Sequence, residues 1–203
     1  MKKLSIDNPF FTFMGNLGDL IILNLAYVIT CIPVITIGMA TTALYKVMLK
    51  RVRGESSYIL KEYLKECAKE AKKSTMMWLP MLFAGGLLVF DILYIGRSWN
   101  VIGIGVAALL VIWLLVFCYA FPLQAQFENT IVNTWKNALY LAVRYLPCTI
   151  VMLLLNMIPA AGIVWFPGLL GLLVPIYVVV GYALTARINV IMLEKIFDKI
   201  AEA

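Results

Sequence analysis

The sequence predicts an all-α fold: a polytopic bundle of about five transmembrane helices, with amphipathic helices on the cytosolic side. Three observations predict it. Of 203 residues, 63% are hydrophobic and 14% charged, against roughly half and a quarter in soluble domains, and a water-soluble domain of this size cannot hide that much apolar surface. The apolar residues gather into five runs near the length of one crossing, about 20 residues for a hydrocarbon core roughly 30 Å thick. Lysine and arginine fall between those runs. The net charge of +6 is therefore assigned to topology, and no nucleic-acid partner is expected.

The first run, 20–37, is imperfect, carrying Asn24 and Pro33. Proline removes a backbone donor and disfavours helix at the residue before it. Pro33 to Gly38 is either a kink near the cytosolic interface or a helix break. A break in lipid requires that protein or a wet cavity cover the freed backbone groups, so 33–38 is expected to pack against other spans. Asp7, Asn8 and Asp19 interrupt the stretch after Met1-Lys2-Lys3. No cleavable signal peptide is expected, and the first run serves as the membrane signal.

The remaining runs are 75–95, 101–121, 146–165 and 167–186, leaving 38–74, 122–145 and 187–203 as cytosolic segments of one transmembrane domain over 1–203. The cytosolic segments hold 14 Lys and Arg, against Lys2, Lys3 and Arg97 on the other side. Cytoplasmic enrichment of these residues predicts a multi-pass protein with an outside N-terminus and a cytosolic C-terminus. Tyr94, Trp99, Trp165 and Phe166 suit the outer interface, and Trp78, Tyr119 and Tyr145 the inner.

Residues 56–73 read as an amphipathic helix with an apolar stripe of Leu60, Leu64, Cys67 and Ala71. Lys61, Lys65, Lys69 and Lys73 form a basic edge, with Glu62, Glu66 and Glu70 beside it. Four like charges at i, i+4 disfavour an isolated helix. The edge is either a contact with anionic lipid headgroups or a solvated positive-inside anchor. Residues 127–145 form a second amphipathic helix, nearly uncharged, with Phe127, Ile131, Trp135, Ala138, Leu139 and Ala142 on one face. Such a helix lies on lipid or docks into a partner's groove; Phe127, Glu128, Ile131, Trp135, Ala138 and Leu139 are the candidate docking residues.

The chemistry-bearing residues are sparse. Histidine is absent, which removes the commonest neutral-pH acid–base group and metal ligand. Cys31, Cys67, Cys118 and Cys148 form no C-x-x-C pair and read as small apolar fillers. No nucleophile-elbow, H-E-x-x-H or P-loop pattern occurs. Asp19 and Asp91 lie near span ends, so no ion route is indicated, and Asn24, Asn156 and Gln124 are assigned to interhelical hydrogen bonding. Neither an enzyme nor a cofactor is expected. Gly103 and Ala107 form a small-xxx-small pair that suits close helix packing, within the chain or in a homo-oligomer.

Gly18-Asp19-Leu20 with Asn24, then residues 32–38, Ala43-Leu44-Tyr45 and Arg53-Gly54-Glu55, resemble the YesL family of bacterial membrane proteins, domain of unknown function 624. Pro122-Leu123, Lys136-Asn137-Ala138-Leu139 and Leu146-Pro147 are similar to it too. The resemblance implies a small plasma-membrane protein, often encoded beside carbohydrate ABC importers, and brings no functional residues. It implies an accessory or assembly subunit whose partners are importer permease or ATPase subunits. A second likeness is to the cytosolic loop by which importer permeases dock on their ATPase: Glu128 and Leu146-Pro147 resemble its two ends. Asn129-Thr130 and Asn133-Thr134 depart from its Ala-Ala and Asp-Gly. It implies the alternative of a permease-like translocating subunit coupled to an ATPase through 127–145.

Overall fold

The computed structural model describes residues 9–55, 58–95, 101–165, 168 and 170–201. Among them there are helices and no strand. α1 is Pro9–Cys31, a 3-10 turn spans Val34–Thr36, and α2 is Ile37–Val52. Next come α3 (Ile59–Ile95), α4 (Val101–Gln126), α5 (Ile131–Arg144) and α6 (Leu146–Trp165). α7 (Leu170–Ile176), a π turn (Tyr177–Gly181) and α8 (Tyr182–Ala201) make one uninterrupted rod. α1, α3, α4 and that rod are each long and apolar enough to cross a membrane; α5 and α6, bent by 106° at their junction, pass the same test only as a pair. The polytopic all-α bundle stands. Lys2, Lys3, Arg97, Trp99 and Phe166 lie outside the described residues.

Pro33 breaks the first span outright. α1 stops at Cys31, and α2 turns back along it as an antiparallel hairpin. Tyr27 Oη lies 3.3 Å from Thr41 Oγ1, and at the far end Arg51 pairs with Asp19 and donates to Asn16. The turn's carbonyls are covered by named donors: Thr36 Oγ1 donates to Thr30 O and Pro33 O, and Trp78 Nε1 to Val34 O at 2.8 Å. Expected packing of the whole 33–38 stretch is corrected in part. Ile32, Pro33, Val34 and Ile35 are exposed, because side-chain donors satisfy the backbone without a protein cover. Only Gly38 is buried, against α3.

At Gly38 the close approach is what requires glycine. A Cβ there would fall on Trp78 Cβ and 2.7 Å from Ser74 O, a backbone atom that cannot step aside. Gly38→Ala is expected to cost about 1–3 kcal/mol by overpacking, read as a lowered unfolding midpoint in mild detergent. Gly54 closes α2 with φ 76°: its N–H reaches Arg51 O and that of Glu55 reaches Lys50 O. Both bonds belong to a Schellman cap, whose αL position favours glycine.

α2 lies inside the bundle. Nine of its sixteen residues are buried, Ala40, Ala43 and Val47 completely. α3 also departs from expectation, since 56–73 and 75–95 do not form separate elements. It is one helix of 37 residues, about 55 Å long at 1.5 Å per residue, nearly twice the hydrocarbon thickness of roughly 30 Å. Its first half packs along α2, and its second half packs against α4, where Trp113 Nε1 donates to Met81 O at 3.0 Å and Gly85 lies against the Trp113 ring.

The bundle therefore has two zones. One cluster of buried residues runs from Leu20 through α2, the first half of α3, Cys118 to Ala125 of α4, and α8 to Phe197. Beyond it, the most apolar window of α4 is only 6% buried, and Leu93, Val101 and Leu154 stand exposed. Side chains that apolar and that exposed match a lipid solvent. Trp78 and Tyr119, expected as interface anchors, are corrected to core residues: Trp78 packs at a tilt against Phe117 and Phe121, and Tyr119 hydrogen-bonds Thr149.

Candidate functional site

Where α2 meets α3, charge is arranged as a ladder. Lys50 Nζ lies 2.8 Å from Glu62 Oε1 and 2.8 Å from Glu66 Oε1. One turn earlier, Lys46 Nζ lies 3.1 Å from Glu70 Oε1 and 3.2 Å from Glu66 Oε2, the latter within ion-pair distance but poorly aligned for a hydrogen bond. Gln124 Nε2 of α4 ends the row, donating to Glu70 Oε2 at 3.3 Å. Lysines four apart on one helix and glutamates four apart on its antiparallel neighbour present matching edges. Three carboxylates against two ammoniums leave one negative charge.

Glu66, at the centre, is 6% exposed. The bonds from Glu62 and Glu66 hold the Lys50 ammonium above its usual range. At Lys46 burial pulls the other way, and the bond it donates to Glu70 and the nearby charge of Glu66 outweigh it. Charges so matched lock helices together. Arg51 with Asp19 and Arg53 with Glu194 extend the same pairing around the end of α2. Sequence reasoning assigned Lys46, Lys50, Arg51 and Arg53 to membrane orientation. The available signal was the shared four-residue spacing of Lys46 and Lys50 with Glu62, Glu66 and Glu70.

The ladder also rotates α3. Of the apolar stripe Leu60, Leu64, Cys67 and Ala71, the two leucines are exposed, Ala71 is half-buried and Cys67 is buried, and Ile59, Tyr63 and Glu66 face inward beside it. The carboxylates face α2's lysines, and the leucines turn outward as a result. Lys61, Lys65 and Lys69 are exposed and Lys73 is half-buried; none is in an ion pair among the described residues. The candidate lipid-contact lysines therefore stand beside outward leucines with their charge unspent.

The candidate docking residues mostly face the wrong way for a partner. Ala138 is fully buried, Ile131 and Trp135 pack on the core, and Phe127 meets Phe197 edge-on at 5.5 Å. Only Glu128 and Leu139 are exposed. The physical reason is that α5 spends its expected docking face on its own chain, chiefly on α4. Its outward face carries Val132, Leu139, Tyr140 and Val143. Thr130 caps the helix, accepting from Asn133 N.

Asn24 does more than join two helices. It is fully buried, and its Nδ2 donates to Tyr177 O at 2.9 Å and Val178 O at 2.7 Å, while Oδ1 accepts from Ala183 N at 2.8 Å. These are backbone groups of the π turn and the residue pair just after it. Widening a helix from i→i+4 to i→i+5 bonding disrupts the regular ladder, and one amide side chain supplies three partners here. Gln124 also bonds between helices, and Asn156 bonds both Met152 O within α6 and the Cys118 thiol of α4. All four cysteines are unbridged. Among the described residues no group of three or more His, Cys, Asp or Glu is placed to hold a metal ion.

Residues 20–92 match the family model described as protein of unknown function, DUF624. The matched stretch holds most of α1, all of α2 and most of α3, and with them every charged member of the ladder. No curated protein and no solved structure matches the chain significantly.

Proposed function

From the match of residues 20–92 to the model of the family of unknown function DUF624, we propose that the chain is a non-catalytic multi-pass subunit of a bacterial plasma membrane. It serves as an accessory or assembly partner of a carbohydrate ABC importer. The importer comes from the family resemblance. The observation that carries the docking role is the outward face of α5, where Val132, Leu139, Tyr140 and Val143 line up on a helix whose other face is already buried. An exposed apolar stripe on a rigid helix is a surface that a partner helix covers. The permease-like reading draws less support, because α5 lies along α4 and does not project from the bundle.

The hairpin favours a different membrane orientation from the one expected from five plain crossings. The start of α1 adjoins the end of α2, so both belong with the basic end of the bundle. On that reading the chain makes four crossings, by α3, α4, α6 and α7–α8, and both ends of the bundle's chain would face the cytosol. Of 17 Lys and Arg, all but Arg97 fall on that side, 16 against 1. This is a stronger bias than the 14 against 3 obtained with the N-terminus outside.

Two experiments test the proposal. Affinity purification in mild detergent is expected to recover a permease or ATPase subunit with the native chain, and to lose it with Val132→Asp/Val143→Asp. Recovery of neither from the native chain overturns the docking role. A green fluorescent protein fused to the N-terminus is expected to fluoresce, since it matures only in the cytosol. A dark N-terminal fusion beside a bright C-terminal one rejects the orientation.

A further inference from the structure

At the junction of α4, α5 and α8 lies a half-open cavity of about 380 Å³. Leu123, Phe127 and Leu141 contribute apolar surface to it. Its polar lining comes from Asn129, Asn137, Tyr140, Arg144, Tyr145 and Lys199, and among the described residues no Asp or Glu lines it. These groups converge from distant parts of the chain. The Phe127–Phe197 contact holds the end of α8, and so Lys199, beside the α4–α5 connection.

Arg144 is held in place without being neutralised. It donates to Tyr140 Oη, and its guanidinium carbon lies 5.6 Å from the Tyr140 ring centre and 5.9 Å from that of Tyr145. Neither Arg144 nor Lys199 is in an ion pair among the described residues. Arg51 and Arg53, by contrast, each have a carboxylate partner. A planar guanidinium fork with a nearby ammonium and two side-chain amides suits a phosphate, which accepts bidentate bonds from arginine and carries enough charge to meet both cations.

We propose that this cavity binds a phosphomonoester, with Arg144 and Lys199 holding the phosphate and Asn129 and Asn137 contacting what it is attached to. The phosphomonoester is either a lipid headgroup, as in phosphatidic acid, or a soluble ester. The cavity lies where α5 bends by 106° into α6, within reach of both lipid and cytosol in the orientation above. The binding chemistry does not depend on the importer partnership.

The test uses the full chain with two kinds of probe. In detergent, glycerol 3-phosphate and inorganic phosphate are titrated, with glycerol and sulfate as controls, and the unfolding temperature is followed. In nanodiscs of phosphatidylcholine, phosphatidic acid is added against phosphatidylglycerol, whose phosphodiester lacks the second charge, and retained lipid is read by native mass spectrometry. A phosphomonoester is expected to bind in at least one arm. Arg144→Gln/Lys199→Gln is expected to weaken it roughly tenfold or more, the loss of two charge-assisted contacts. Arg144→Lys should lie between, and Lys61→Gln/Lys65→Gln should leave it unchanged. Binding only in nanodiscs identifies the lipid source, and binding only in detergent the soluble one; either supports the site. No binding in either arm overturns it, as does binding that Arg144→Gln/Lys199→Gln leaves unaltered.

Discussion

Asn24→Leu is expected to destabilise the folded chain by about 3 kcal/mol, because it removes the side-chain partner of three backbone groups at once, one buried and two part-buried. Tyr177 O and Val178 O lose their donor, and Ala183 N loses its acceptor. Each orphaned group costs about 1–3 kcal/mol, partly offset by the apolar side chain put in its place. Asn24→Asp separates the contributions: it keeps an acceptor for Ala183 N and removes the donor to the two carbonyls. Unfolding in mild detergent, followed by tryptophan fluorescence, should order the native chain above both variants. If Asn24→Leu unfolds like the native chain, the π turn is held by its own backbone and Asn24 is a bystander. Gly181 sharpens the point, since a Cβ there would fall 2.6 Å from the Tyr177 ring. The wide turn is shaped to its contents on both sides.

The second large effect is expected from Lys46→Met. Lys46 is the one cation between Glu66 and Glu70 and is 18% exposed. Removing it leaves Glu70 with only the Gln124 amide. Breaking a fully buried pair costs about 3–5 kcal/mol; partial exposure reduces the expectation here to about 2 kcal/mol. Glu66→Gln should cost less, because Lys46 keeps Glu70 and Lys50 keeps Glu62. Lys46→Met/Glu70→Gln should recover part of the loss, and a double-mutant cycle measures the coupling. An additive cycle would show that the pair contributes nothing.

The ladder also predicts a pH dependence. Both lysines are raised in the folded chain above their usual 10.5, so the unfolded chain releases these protons first. Their contribution is fully present below pH 10.5 and is lost as pH rises through the folded values. Stability measured from pH 8 to 11.5 should fall at the alkaline end, and less steeply in Lys46→Met. An equal slope in both proteins would remove Lys46 as a source.

The sequence by itself determined the solvent and the helices. Long apolar runs need lipid, and in lipid the backbone must bond to itself, so 101–121 and 146–165 appear in α4 and α6 with little change. Pro33 marked where the first span is disturbed, since a missing N–H acts on its own helix, but a kink and a break look alike in the sequence. What only the tertiary structure decided was direction and partnership. The break reverses the chain instead of bending it, because Thr36 and Trp78 supply the turn's missing donors and Gly38 lets α2 pass close to α3. Charge could not be read from position alone. A lysine spaced for topology and a lysine spaced for a glutamate on the next helix look alike until the helices are paired, which is why Lys46 and Lys50 differ from Lys61 and Lys65. Periodicity found the two faces of α5 but not which one the chain would keep. That choice belongs to whichever surface packs better, and α4 took the face that carries Trp135 and Ala138.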